Sequence, residues 1–197
     1  AAIAIGSNAG HAGQLASAVA IGISSGALNQ GTNSVAIGNS SGSDTQGVNS
    51  VAVGIIAGSV NQGDGAVAIG LLAGQVNQGA GAVSLGQSAG QNIQGANAIA
   101  IGTNAAPTSQ VANSIVLNAS GSALEAAAAG FYVSAVRSAA GTTPITMAYD
   151  TTNKEVIAWT AAPAGGDVFL AGAQTFTGIK TFTPQTIFTN SVQIPLG

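Results

Sequence analysis

The sequence predicts an all-β fold, a parallel β-solenoid of eight turns with sixteen residues in each turn. Three observations predict it. A motif of the type Ala-Ile-Gly returns every sixteen residues without an insertion, large apolar residues alternate with a small one inside that motif, and clusters of Gly, Asn, Gln and Ser separate its copies. Alternation with period two is typical of a strand with one buried face. A fixed period of this length is typical of stacked turns.

Each motif places two large aliphatic residues on one face of a short strand. We expect these pairs to form the core of the solenoid, and we expect the alanines between them, such as Ala36 and Ala52, to face outward and allow close approach of neighbouring copies. The predicted core is Ile3, Ile5, Val19, Ile21, Val35, Ile37, Val51, Val53, Val67, Ile69, Val83, Leu85, Ile99, Ile101, Ile115 and Leu117.

Turn residues predict corners at fixed places in every turn. The repeating glycine should adopt a positive φ angle, because the eighth turn replaces it by Asn118, the other residue type that tolerates that conformation. The predicted corner residues are Gly22, Gly38, Gly54, Gly70, Gly86, Gly102 and Asn118. A second corner is predicted four residues later, for example at Gly26, and a third turn at Asn29-Gln30-Gly31 and its equivalents.

One glutamine recurs in every turn. Stacking turns at the strand spacing of about 4.8 Å would bring these side chains into a single file joined by amide hydrogen bonds. The predicted ladder is Gln14, Gln30, Gln46, Gln62, Gln78, Gln94 and Gln110. The functional alternative is that the file binds a sugar or an ice surface.

The chain divides into four segments by composition. The repeat predicts the solenoid over residues 1–122, and residues 123–160 read as a cap that contains a β-hairpin around the polar stretch 150–154, with Tyr149 and Trp159 in its core. Residues 161–167 are a small-residue linker. In residues 168–197, a Thr- and Phe-rich strand places Phe176, Phe182 and Phe188 six residues apart, which predicts a trimerisation or docking segment; an ordinary edge hairpin is the alternative.

Composition argues against several classes of function. Only 5% of the 197 residues are charged, against roughly 25% in ordinary soluble domains, so we expect the chain to pack against copies of itself. The three basic residues, Arg137, Lys154 and Lys180, are too few for nucleic-acid binding. No apolar run approaches the roughly 20 residues that span a bilayer, so we expect no membrane insertion.

Residues that could carry chemistry are scarce and scattered. His11 is the single histidine and cysteine is absent, so a histidine-based metal cluster or a Ser/His/Asp triad has only one candidate histidine, which we interpret as a solvated turn residue. The acids form neither the close pair of glycoside hydrolases nor a calcium loop. We expect no enzymatic activity and no cofactor.

The segments Asn33-Ser34-Val35-Ala36-Ile37-Gly38 and 49–54 resemble the head repeat of YadA-like trimeric autotransporter adhesins. Similar repeats occur in tail and surface fibres of phages and giant viruses. The resemblance covers about residues 1–122 and implies a left-handed parallel β-roll, three of which pack into a trimer. It also implies adhesion or display outside the cell or on the virion surface.

From these residues and this resemblance we expect a structural subunit of an extracellular or virion fibre or adhesin. Its expected partners are two further copies of itself in a homotrimer and a host surface receptor or glycan. Ile3 and Ile5 already occupy repeat positions at the start of the sequence, so we expect either a preceding part of the chain or a neighbouring subunit to stack on the first turn. The second alternative would join subunits end to end into a filament. The alternative is a ligand-binding solenoid, an ice- or carbohydrate-binding module.

Overall fold

The computed structural model describes residues 1–134, 146–150 and 155–159. The chain divides into two compact units, Ala1–Ser138 and Ala139–Gly197. The first unit is a parallel β-solenoid of about eight turns, in which two sheets run along its length. The predicted fold class is therefore confirmed.

The first sheet contains the repeating motif and has nine strands. In chain order they are β1 (Ile3–Ile5), β2 (Val19–Ile21), β4 (Val35–Ile37), β6 (Val51–Val53), β8 (Val67–Ile69), β10 (Val83–Leu85), β12 (Ile99–Ile101), β14 (Ile115–Asn118) and β16 (Phe131–Ser134). All pairings are parallel, and each residue pairs with the one sixteen positions later, as Val35 does with Val51. The sequence period is thus the register of the sheet.

The second sheet has seven strands. They are β3 (Leu28–Gln30), β5 (Asp44–Gln46), β7 (Val60–Gln62), β9 (Val76–Gln78), β11 (Ile93–Gln94), β13 (Ala105–Gln110) and β15 (Leu124–Ala126). The central residue of several of these strands has a positive φ angle, for example 52° at Asn61. The predicted third turn is therefore a short kinked strand, because its residues pair with the next turn while they bend the chain.

The parallel pairing extends beyond its predicted end at residue 122. Strand β16 pairs with β14 in the same register as the earlier turns, with Phe131 opposite Ile115 and Tyr132 opposite Val116. The start of the predicted cap, residues 123–134, thus belongs to the solenoid sheets. Aromatic residues replace the usual aliphatic ones here, which hides the continuing sixteen-residue register in the sequence.

The predicted core is wrong in its choice of strand face. The residue between the two large aliphatic ones is the buried one, as at Ala36, Ala52, Ala68 and Ala100, which are all fully buried. None of the sixteen residues predicted as core is buried: each is half-buried or exposed, and Ile69 is 38% exposed. The alternation was recognised correctly, but the alanines face inward and the valines and isoleucines face outward.

The reason is the narrow interior of the solenoid. A Cβ atom added to Gly26 would lie 2.6 Å from the side chain of Gln30, so glutamine already fills the space beside this corner. Most of the remaining buried side chains are alanine or serine, for example Ser50, Ala57 and Ala66. Close packing leaves no space for two facing columns of branched side chains. Large residues must therefore lie on the outer face.

Both predicted glycine corners have positive φ angles. At the repeating glycine φ lies far from the ordinary left-handed value, at 132° in Gly54, a region that only glycine adopts readily. A Cβ atom there would also lie 2.5 Å from the carbonyl oxygen of Gly70 in the next turn. The second corner is left-handed, with φ of 50° at Gly26.

Asn118 does not form the predicted corner with a positive φ angle. It ends β14, is buried, and its Nδ2 donates hydrogen bonds to the carbonyl oxygens of Thr103, Asn104 and Ser122 at 2.8, 3.1 and 2.6 Å. An amide that reaches three backbone carbonyls stabilises the loop after β14 through its side chain. The predicted corner is wrong because asparagine can also hydrogen-bond to the backbone through its side chain, which is what Asn118 does here.

The predicted hairpin is confirmed. Strands β17 (Thr146–Asp150) and β18 (Glu155–Trp159) are antiparallel, with Asp150 opposite Glu155. The linker 161–167, the segment 168–197 and the three phenylalanines Phe176, Phe182 and Phe188 lie outside the described residues.

Replacing Gly54 by alanine should destabilise the solenoid by about 3 kcal/mol, because it combines a strained φ angle with a backbone clash. Gly65→Asn is the matched control. Gly65 has a φ of 65° with open space around its Cβ position, and Asn49 and Asn97 occupy the equivalent corner of other turns. Chemical unfolding of both variants measures the difference, and equal stabilities would contradict the proposed tight stacking of glycines.

Candidate functional site

The glutamine file is a hydrogen-bonded ladder in the interior. The Nε2 atom of each glutamine donates to the Oε1 atom of the next from Gln46 to Gln110, over 3.2, 3.1, 3.1 and 3.0 Å. Gln14 and Gln30 lie in the same file, but the Oε1 atoms of Gln30 and Gln46 have no hydrogen-bond partner in the described chain. The predicted ladder is therefore present over five of its seven residues.

Each glutamine also ties the two sheets together. Gln62 lies on β7 of the second sheet, and its Nε2 donates to the carbonyl oxygen of Val51 on β6 of the first sheet at 2.9 Å. The same bond joins Gln78 to Val67 and Gln94 to Val83. Hydrogen bonds of this kind let a polar side chain serve as the largest residue of an otherwise small-residue core.

Because it is buried, the glutamine file is not a ligand-binding surface. From Gln30 to Gln110 these side chains are at most 2% exposed. A sugar or an ice surface at the outside of the solenoid could not contact them. The sequence hypothesis that this file captures a ligand is therefore wrong on geometric grounds.

The outer face of the first sheet is the candidate functional site. Two parallel columns of large aliphatic side chains run along it, one that begins at Ile3 and one that begins at Ile5. Phe131 and Val133 continue these columns on β16 and are also exposed. Nine strands at a spacing of about 4.8 Å make this apolar face roughly 38 Å long. We call it the aliphatic face.

The described part of the solenoid carries negative charge only. Asp44, Asp64 and Glu125 are its acidic side chains, and every lysine and arginine of the chain follows residue 134. No charged residue lies on the aliphatic strands β2 to β14 of the first sheet. A second apolar surface could therefore cover this face without burying a charged side chain of these strands.

The outer surface of the second sheet has a different character. Asn29, Thr45, Asn61 and Asn77 follow one another from turn to turn and are exposed. The Nδ2 atom of Asn61 donates to the Oδ1 atom of Asn77 at 3.1 Å. The first sheet thus presents a continuously aliphatic face, whereas the second presents a file of polar side chains beside exposed aliphatic ones such as Leu28 and Ile93.

No cluster for metal binding or acid–base chemistry appears in the described residues. His11 is exposed, and residues 1–134 bring no three side chains of His, Asp or Glu together as ligands. Asp64 accepts a hydrogen bond from the backbone N–H of Val48 at 2.8 Å, and Glu125 accepts bonds from the N–H groups of Thr108 and Ser109. Asp64 lies in a turn and Glu125 on β15, and both carboxylates accept hydrogen bonds from the backbone of the preceding turn.

A search for apolar helices of membrane-spanning length finds none in the described part of the chain. Comparison of the chain with protein-family models, curated proteins and solved structures finds no match.

Sequence reasoning missed the aliphatic face because it placed these residues inside. A usable signal was residue size: the inward positions hold only alanine or serine from turn to turn up to Ala100, whereas the outward ones vary among valine, isoleucine and leucine. Only a confined interior imposes such a strict upper limit on size.

Replacing Gln62 by alanine should destabilise the solenoid by about 2–4 kcal/mol, because it opens a cavity and leaves buried partners without hydrogen bonds. Gln87→Ala is the matched control, since Gln87 is exposed and should change stability by less than about 0.5 kcal/mol. Thermal unfolding monitored by circular dichroism compares the two. A Gln62 variant as stable as the Gln87 variant would contradict the structural role of the ladder.

Proposed function

We propose that the chain is a structural, non-catalytic subunit of an extracellular or virion fibre or adhesin, and that it assembles as a parallel homotrimer through the aliphatic face. The observation that carries this proposal is the placement of residue sizes. The interior contains mainly small residues and glutamine, and two columns of large aliphatic residues lie on one outer face.

An apolar face of this length favours burial against another protein surface. Each valine or isoleucine side chain contributes roughly 1.5–3 kcal/mol when it is fully buried. Large contiguous apolar patches on soluble proteins mark interaction sites. Since the columns remain apolar along the whole sheet, the simplest complementary surface is the same face of another copy, related by closed symmetry.

Three-fold symmetry is supported by the resemblance of the Ser-Val-Ala-Ile-Gly motif, as in Ser34 to Gly38, to the head repeats of trimeric adhesins. Display outside a cell or on a virion has the same support. A fibre subunit has no need of catalytic groups, in keeping with a chain that is 5% charged and contains one histidine.

The partners named from the sequence stay predictions. The host receptor or glycan would meet an exposed surface, and the buried glutamine file is not one. The ice- or carbohydrate-binding alternative therefore loses the observation on which it was based. End-to-end joining also stays a prediction, because residues 168–197 lie outside the described residues.

Replacing Val67 and Ile69 together by lysine should dissociate the trimer into folded monomers. Both side chains lie on the outer face of β8, so a single chain tolerates the change, whereas six lysines buried in a trimer would each cost several kcal/mol. Sedimentation velocity at micromolar concentration measures the mass, and circular dichroism checks the fold.

Val60→Lys together with Val76→Lys is the control, because both valines are half-buried on the second sheet. It should leave the trimer intact. A parent chain that sediments as a monomer would overturn the proposed assembly, and a dimer would overturn its three-fold symmetry. A Val67/Ile69 variant that remains a trimer would show that the aliphatic face is not the interface, in which case Phe182→Ser with Phe188→Ser tests the C-terminal segment instead.

A further inference from the structure

Two adjacent turns depart from the repeat directly after their corner glycine. They contain the pairs Ile55-Ile56 and Leu71-Leu72, whereas the other turns have at least one polar residue in the pair. Those other pairs are Ser7-Asn8, Ile23-Ser24, Asn39-Ser40, Gln87-Ser88 and Thr103-Asn104. We call Ile55, Ile56, Leu71 and Leu72 the corner patch.

Two residues of the corner patch, Ile56 and Leu72, have a strained backbone conformation. The second residue of every pair is left-handed, and φ is 59° at Ile56 and 60° at Leu72. This conformation costs an ordinary L-residue about 1–2 kcal/mol, and for a β-branched residue it is a clear outlier. Serine occupies the same position with φ of 52° at Ser24 and Ser40. The fold therefore does not require an aliphatic residue at this corner.

The patch also exposes apolar surface in the single chain. Ile55 is 54% and Leu71 is 42% exposed, while Ile56 and Leu72 are half-buried. The patch thus combines backbone strain at Ile56 and Leu72 with exposed apolar surface at Ile55 and Leu71. Local features that oppose the stability of the single chain are typical of functional positions.

The patch is continuous along the chain with the aliphatic face. Ile55 follows Val53 of β6 by two residues, and Leu71 follows Ile69 of β8 by two residues. The two turns are stacked, since the N–H of Leu72 donates to the carbonyl oxygen of Ile55 at 3.0 Å. A copy that covers the aliphatic face at β6 and β8 would be the nearest partner for the patch.

Closed three-fold symmetry places the copies at the same height along the fibre axis, but the aliphatic face alone gives little energetic preference for that arrangement over a staggered, open one. The face repeats every turn, so a neighbour displaced by one turn, about 4.8 Å, would meet nearly the same side chains. The corner patch occurs in only two adjacent turns, and it would be buried fully in one alignment. We propose that Ile55, Ile56, Leu71 and Leu72 form a docking patch for a second copy of this chain that aligns neighbouring subunits turn against turn. This inference rests on the proposed assembly.

Thiol accessibility tests the contact. The chain contains no cysteine, so Ile55→Cys and, as the matched control, Ile93→Cys each carry one thiol. Ile93 lies on β11 of the second sheet and is 57% exposed, close to the value for Ile55. In the assembled protein, Ile55→Cys should react with a soluble aromatic disulfide at least tenfold more slowly than Ile93→Cys.

The same pair of cysteines in the Val67→Lys, Ile69→Lys background should react at equal rates, because that chain is monomeric. Equal rates in an assembled parent would overturn the docking patch. A parent that sedimentation shows to be monomeric would overturn the proposed assembly instead, so the two failures are distinguishable.

Distance measurement between spin labels tests the alignment. A nitroxide on Ile93→Cys in an aligned three-fold assembly gives one narrow distance distribution between subunits. The substitutions Ile56→Ser and Leu72→Ser are then added to this protein. Serine occupies the same position in other turns, so we expect the fold to be retained while the patch loses two of its four aliphatic side chains. We expect the distribution to broaden with displaced populations. A distribution as narrow as that of the parent would overturn the aligning role.

Discussion

The narrow interior of the solenoid determines the rest of the structure. Successive turns approach so closely at the corners that a Cβ atom on Gly38 would lie 2.5 Å from the carbonyl oxygen of Gly54. Glycine is needed there for its φ angle and for space alike. Between the corners, alanine, serine and one glutamine fill most of the core, and Val116 in the eighth turn is its largest buried aliphatic residue.

Stability in such a solenoid depends more on directional bonds than on apolar burial. Alanine removes little surface from water, so the hydrophobic contribution of each turn is small. The backbone hydrogen bonds within both sheets, and the glutamine hydrogen bonds between the sheets, compensate for this small hydrophobic contribution. The large aliphatic residues lie outside and are at most half-buried in the single chain, so the proposed assembly would add to the stability by covering them.

The sequence was sufficient to predict the turn, its period and its register, because a constant spacing without insertions admits one parallel stacking. It was also sufficient for the amide ladder and for the hairpin of β17 and β18. It was insufficient for the inward face. Period-two alternation identifies two faces, and when both are apolar, as in Val35-Ala36-Ile37, only the available volume decides which one is buried.

Two smaller failures have similar causes. Asn118 looked like a glycine substitute, but its amide has better partners in three carbonyl oxygens. The last strand, β16, was separated from the repeat because Phe131 and Tyr132 differ in size from valine and alanine, although their spacing from Ile115 preserves the register. The residue types at these positions led to the wrong predictions. The spacing of sixteen residues between Ile115 and Phe131 would have predicted the register of β16 correctly.

The central claim is that alanines form the interior and the large aliphatic residues form an interface. Methyl NMR with a soluble nitroxide tests it most directly, in the assembled protein and in a dissociated chain. We expect the Ala52 and Ala68 methyl groups to be protected in both states, and the Ile69 methyl groups to be protected only in the assembly. Protection of Ile69 in the single chain, with relaxation of Ala52 and Ala68, would contradict the claim.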